Sequence, residues 1–267
     1  MTQPTPSSLA AVHTRIRSVR AEGLGVITLA RPEKKNALDQ RTAVELVEVL
    51  RELEASAEVR VVIVEGDGDD FCAGADLAAL DASMDAGIDT HINDARALGR
   101  VFTTMREMTK PVVAIVRGRA LAGGAGLATA CDIVLAEETA QFGYPEVRIG
   151  FVPAMVMTML RRAVGEKRAA ELVLTGRIIG AAEAARIGLI SRCIPTAVFP
   201  EEVAKTIEAL VKAPPTAVSL TKRLLYRIDD LDFAQSIVAG VSTNVESRAT
   251  DDFRTGVRRF VDRARQP

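Results

Sequence analysis

Two runs of apolar, mostly β-branched residues, Val61–Val64 and Val112–Val116, carry no polar side chain, and each leads into a glycine-rich turn. A strand that alternates apolar with polar residues is half buried, whereas one that is apolar throughout is covered on both faces, the mark of an α/β sheet. The flanking pattern agrees. Arg15–Val19 and Gly25–Leu29 predict a hairpin around Glu22-Gly23-Leu24, and Arg31–Asn36 a polar turn. Asp39 then caps a helix whose apolar face is Ala43, Leu46, Val47, Leu50 and Leu53. Residues 81–90 are small, acidic and weakly patterned, which predicts a mobile loop before a helix that runs to Met108. Leu127–Ala130 reads as a short helix and Ile133–Leu135 as a strand, and the strand–turn–helix rhythm continues to about residue 195.

Beyond Pro200 the strand signals stop. Val203, Ala204, Ile207, Leu210 and Val211 form a helical stripe, Pro214-Pro215 breaks it, and further helices run to about Arg265. The expected organisation is a disordered leader over residues 1–11, an α/β core over 12–200 and a helical region over 201–267.

Composition removes several classes of function. Lys and Arg number 34 against 35 Asp and Glu, aromatics are 4% and Trp is absent, so neither a phosphate-binding face nor a base-stacking platform for nucleic acid is expected. Cys72, Cys131 and Cys193 are widely spaced and odd in number, and only His13 and His91 could join them, which predicts neither disulfides nor a metal site. No apolar run is long enough to span a membrane, and the polar, Pro/Ser-rich N-terminus does not read as a signal peptide. A cytoplasmic location is the expectation.

Chemistry points to the two turns, Phe71–Asp76 and Gly123–Gly126. A residue without Cβ lets backbone N–H groups approach a ligand closely, and a turn entering a helix aims them outward. Two such turns facing one point would form an oxyanion hole, which a thioester enolate requires. Singly, each glycine pair reads as well as tight strand–helix packing. Neither is a phosphate loop, because no Gly-Lys-Ser/Thr follows and the GxGxxG spacing is absent.

Taken in order, the motifs resemble the enoyl-CoA hydratase/isomerase (crotonase) family. Arg31-Pro32 with Asn36-Ala37-Leu38 is similar to the opening that wraps the CoA adenine and phosphates. Phe71-Cys72-Ala73-Gly74-Ala75-Asp76 is similar to the first oxyanion turn, and Lys110–Ala114 with Gly118 and Gly123-Gly124 to the second. Ala130–Ile133, Ala140–Phe142, Pro145-Glu146, Gly150, Pro153, Arg161, Leu174–Gly176 and Ala185–Leu189 follow in family order. The resemblance implies a crotonase-like spiral of ββα units with a helical C-terminal trimerisation region, assembled as a homotrimer or a dimer of trimers. It implies an acyl-CoA substrate, with CoA as part of that substrate and no separate cofactor or metal.

Carried over by position, the oxyanion donors are the N–H groups of Ala75 and Gly123, and Glu146 is the acid/base. Lys35, Ala37, Ala73, Asp76, Gly124, Gly126, Tyr144 and a neighbour's Arg263 are the expected substrate and CoA contacts, Tyr144 as pocket wall and Asp76 also as a helix cap. Arg148 is expected in a salt bridge. A branch of the family binds RNA through a Lys-rich helix; the matching Asp39–Glu54 has no Lys and carries Glu45, Glu48, Glu52 and Glu54.

One position departs from the resemblance. Hydratases of the family carry a second glutamate where this chain has Gly126. Hydration is easiest with two carboxylates, while one suffices to shift a double bond. The expected function is therefore hydration/dehydration or double-bond shift of an enoyl-CoA by one glutamate; the alternative is a CoA-thioester-binding protein without catalysis. A carboxylate placed at Gly126 is expected to point along the thioester.

Overall fold

The structure is a computed structural model that describes residues 13–264. The leader expected over residues 1–11 lies outside the described residues. β1 (Ile16–Ala21) and β2 (Leu24–Leu29) form an antiparallel hairpin, closed by Glu22 and Gly23 with φ of 52° and 84°. Both turn residues thus have positive φ, as a two-residue hairpin that follows the strand twist requires. α1 (Gln40–Ala55) is capped by Asp39, whose side chain accepts from the Thr42 N–H. β3 (Val61–Gly66), β4 (Val112–Val116), β6 (Ile133–Glu137) and β9 (Arg192–Ile194) extend the sheet in parallel, in the order β1-β2-β3-β4-β6-β9. The short β5 (Arg119–Leu121), β7 (Gln141–Gly143) and β8 (Ile178–Gly180) form a second sheet, which Cys72 joins by an isolated bridge to Ala120.

Each turn of the chain therefore gives a strand to the large sheet, a short strand or bridge to the small one, and then a helix. This repetition is the crotonase spiral. α2 (Leu77–Ala82) and α3 (Ile88–Glu107) follow the first such turn, and α4 (Gly123–Ala130) the second. The third is followed by α5 (Val156–Val164), α6 (Glu166–Thr175) and α7 (Ala181–Arg186).

The two-sided burial of the central strands has a direct structural cause. Val62, Val64, Val112, Ala114 and Val116 face one core, shared with Leu46, Leu50, Val101 and Leu127 of the helices. Val61, Ile63, Val113 and Ile115 face the other, closed by Phe199 and Ile207 of α8 (Phe199–Lys212). The apolar stripe beyond Pro200 thus covers the second face of the sheet. α9 (Pro215–Arg227), α10 (Phe233–Arg248) and α11 (Asp251–Ala264) complete the described chain.

Two local expectations change. Within 81–90 the chain is helical to Ala82 and again from Ile88, leaving only residues 83–87 as the connection. The helix expected at Leu127–Ala130 begins at Gly123, four residues earlier, because packing outweighs the poor helix propensity of glycine.

Candidate active site

The turn after β3 is held by backbone hydrogen bonds on both sides. Towards the small sheet, the Cys72 N–H donates to Arg119 O at 2.9 Å and the Leu121 N–H to Cys72 O at 3.0 Å. Towards the 31–39 loop, the Ala73 N–H donates to Lys35 O at 2.9 Å, the Leu38 N–H to Gly74 O at 2.7 Å and the Asp76 N–H to Leu38 O at 2.9 Å. The Leu38–Ala75 bridge engages the groups on either side of Ala75 and turns the Ala75 N–H away, with no backbone acceptor for it among the described residues.

The second turn meets the first edge to edge. Gly74 has φ of 99°, and a Cβ there would lie 2.8 Å from the Ala122 Cβ and the Leu121 O and 3.5 Å from the Gly123 nitrogen. Gly123 opens α4, so its N–H belongs to the first turn, whose donors have no intrahelical acceptor. Ahead of it Ala122 holds φ of 50° and ψ of −123°, a conformation costing about 1–3 kcal/mol for a residue with a Cβ. Its N–H donates to Gly143 O at 2.8 Å. Gly124 is fixed by contact, since a Cβ would come within 2.2 Å of Cys72 O. Ala75 and Gly123 thus stand where the two turns meet, both half-buried and both with no backbone acceptor for their N–H groups among the described residues.

Glu146 lies on the third turn of the spiral. After β7 the chain enters a turn of 3-10 helix, Pro145–Ile149, closed by Gly150 at φ of 74°. The Glu146 carboxyl is buried, and its Oε2 has no hydrogen-bond partner among the described residues. Burial pushes its pKa up, partly offset by its own backbone N–H. A carboxyl desolvated without a cation suits a group that takes up and returns a proton near neutral pH.

The remaining expected residues divide. Lys35 is exposed, in a left-handed conformation with φ of 52°, and forms no ion pair among the described residues. Ala37 and Ala73 lie beside it, with the Ala73 N–H already committed to Lys35 O. Asp76 caps α2 as expected, accepting from the Ala78 and Ala79 N–H groups, but its expected ligand contact is a correction: the carboxylate is buried and pairs with Arg31 Nη2 at 2.8 Å. It has no free face for a ligand.

Tyr144 is a second correction. Its ring is fully buried in the core, and its hydroxyl lies 3.1 Å from Thr129 Oγ1. Because Thr129 spends its single hydrogen on Ala125 O at 2.6 Å, Tyr144 is the donor. The pair links the strand end before Glu146 to α4. Gly126 is a third: it is buried, and a Cβ there would lie 2.1 Å from Val156 Cγ1 and 3.4 Å from Phe102 Cζ. A side chain at 126 would run into α5, not along an open cleft. Arg148 is exposed and forms no ion pair among the described residues, and the side chain of Arg263 lies outside them.

The thiols take no part. Burial pushes Cys72 up to about 12 and Cys131 well above its ordinary value, so both stay protonated. Two hollows border other parts of the molecule, the first touching the site only at Thr129. One, of about 210 Å³, sits at the C-terminal end of α4, lined in part by Cys131, Asp132 and Ser191. The other, of about 280 Å³, lies where α9 meets α11. Thr129, Val156 and Phe102 are the site's unanticipated members; their contacts depend on packing and leave no mark of a site in the sequence.

A ββα spiral whose successive glycine turns meet edge to edge has the crotonase-type fold. The chain belongs to the enoyl-CoA hydratase/isomerase family, whose sequence model matches residues 19–267. It is 40% identical over 240 residues to an enoyl-CoA hydratase-type protein of Thermus thermophilus, spanning 90% of this chain and 95% of the relative. It is 34% identical to the crotonyl-CoA hydratase of Syntrophomonas wolfei over 251 residues, 91% of this chain and 94% of the relative. Among solved structures, an enoyl-CoA hydratase of Mycobacterium smegmatis superposes with a TM-score of 0.90 at 27% identity, covering 93% of this chain and 96% of that one.

Proposed function

We propose that the chain moves a proton at the carbon beside the carbonyl of an enoyl-CoA thioester, with Glu146 as its single acid/base. The observation that carries this reading is the buried Glu146 carboxyl, whose Oε2 has no hydrogen-bond partner among the described residues. On a 3-enoyl-CoA, the Glu146 carboxylate takes a proton from the α-carbon. The C–H electron pair passes into the thioester, and the Ala75 and Gly123 N–H groups hold the enolate oxygen. Glu146 then returns the proton to the far end of the conjugated system. The double bond moves and nothing is added or lost.

Val156 and Phe102 close the space beside Gly126, from which a second acid would act. A double-bond shift is therefore the reaction that the residues favour. Hydration, with the water oriented by Glu146 alone, is the second reading, favoured by the hydratase names of the relatives. CoA enters as part of the substrate, with its nucleotide at the exposed residues 32–35, where Lys35 supplies a cation. The test is to incubate the protein with 2-enoyl- and 3-enoyl-CoA and follow products by mass spectrometry. Isomerisation leaves the mass unchanged and shifts chromatographic retention; hydration adds one water. A protein that binds both thioesters and converts neither is the non-catalytic alternative.

A further inference from the structure

We infer that Arg31 is a positioning residue for the oxyanion hole, holding the Ala75 N–H in place from beneath the loop assigned to CoA. The inference rests on the reading of Ala75 and Gly123 as oxyanion donors. The residue is buried, and its fork is divided among three acceptors. Nη1 donates to Ala37 O at 2.9 Å and to Asp39 Oδ2 at 3.1 Å, and Nη2 to Asp76 Oδ2 at 2.8 Å. Its backbone N–H donates to Asn36 Oδ1 at 3.0 Å. Both carboxylates are helix caps: Asp39 accepts from the Thr42 N–H at 2.7 Å, and Asp76 from the Ala78 N–H at 3.1 Å.

Asp76 immediately follows Ala75, so its side chain and backbone set the plane of the Ala75 turn. That turn is pinned on the same side by the Leu38 N–H to Gly74 O, the Asp76 N–H to Leu38 O and the Ala73 N–H to Lys35 O. Arg15 Nη2 also meets Asp39 Oδ2, at 3.2 Å, but Arg31 is the guanidinium that ties Asp39 to Asp76; a planar fork can span Ala37 O, Asp39 and Asp76 at once, where a lysine would satisfy one or two of them. A donor displaced by a fraction of an ångström stabilises an enolate poorly while substrate still binds. The geometry therefore points to an effect on turnover rather than on CoA affinity.

The test uses Arg31→Lys and Asp76→Asn in the full chain. Asparagine keeps the cap on α2 but loses the charge that Arg31 meets. Three quantities are measured: the Kd for free CoA, kcat and KM on the enoyl-CoA that wild type converts, and the near-ultraviolet band of enolised acetoacetyl-CoA bound to the protein. Both variants should lower kcat about ten- to a hundredfold and weaken the enolate band, with Kd for CoA changed less than about threefold. Where Arg31→Lys lowers the melting temperature, Asp76→Asn decides. Unchanged kcat and enolate band in a folded variant would overturn the inference, as would a loss of CoA affinity that accounts for the whole loss of kcat/KM. A wild type that gives no enolate band would instead remove the oxyanion reading on which the inference stands.

Discussion

Glu146 is held where a carboxylate is poorly solvated, and this makes a prediction in which activity and stability move in opposite directions. Its pKa is raised in the folded state by burial. Below the ordinary glutamate range both folded and unfolded chains carry the proton, and the site costs nothing. As pH rises, the unfolded chain ionises first, and the folded chain loses stability progressively until its own raised pKa has been passed. Glu146→Gln should therefore lower turnover by at least about two orders of magnitude. It should also raise the melting temperature at pH 7–8, by a margin that vanishes at acidic pH. Parallel melting curves and initial rates across pH check both halves.

Gly126 carries a second prediction at the same scale. A side chain at this position meets Val156 at once. Gly126→Glu alone should thus destabilise the fold by about 1–3 kcal/mol, in the range of overpacked cores, and gain no hydration. Coupled with Val156→Ala it should recover stability and expose a second carboxyl to the site. Differential scanning calorimetry and a hydration assay on both variants check this. Glycine at 126 is visible in the sequence, but the valine that makes it necessary lies 30 positions on, and no periodicity connects them.

At the scale of elements, legibility followed how local the cause is. The hairpin, the Asp39-capped α1 and the two-sided strands β3 and β4 follow from side-chain pattern, because caps, turns and burial each act within a few residues. The start of α4 was hidden because glycine disfavours helix, and only Cys72 O and Val156, brought up by packing, require it there. Burial of charged groups was hidden for the same reason. Lys222 on α9 is one example: its Nζ lies 2.7 Å from Asp132 Oδ2 and 2.9 Å from both Met105 O and Lys110 O. Tyr226 donates to the other Asp132 oxygen. This cluster fastens α9 to the end of α3 and the entry to β4. Lys222→Met should destabilise the protein by about 1–3 kcal/mol, because it leaves the half-buried Asp132 carboxylate without its cation and the Met105 and Lys110 carbonyls without their donor. Chemical denaturation checks it, and a change within about 0.5 kcal/mol would place the cluster in solvent.

For the whole molecule, the spiral brings successive turns into contact and so assembles a site from residues far apart in the chain. It also leaves α10 with Phe233, Ile237, Val238, Val241 and Val245 exposed, and α11 with Phe253, Val257 and Phe260. A monomer rarely leaves so continuous an apolar face in water. Light scattering should give a trimer or hexamer of the 28.5 kDa chain, and a clean monomer at micromolar concentration would contradict it. The central claim is that Glu146 exchanges a proton with the carbon beside a thioester carbonyl polarised by Ala75 and Gly123. Incubation of a saturated acyl-CoA in deuterated water, with mass spectrometry of the recovered thioester, tests it without assuming which overall reaction the protein performs. Wild type should introduce deuterium at the α-carbon, and Glu146→Gln should introduce at least about a hundredfold less in the same time. Equal incorporation by both proteins, or none by wild type, would contradict the account.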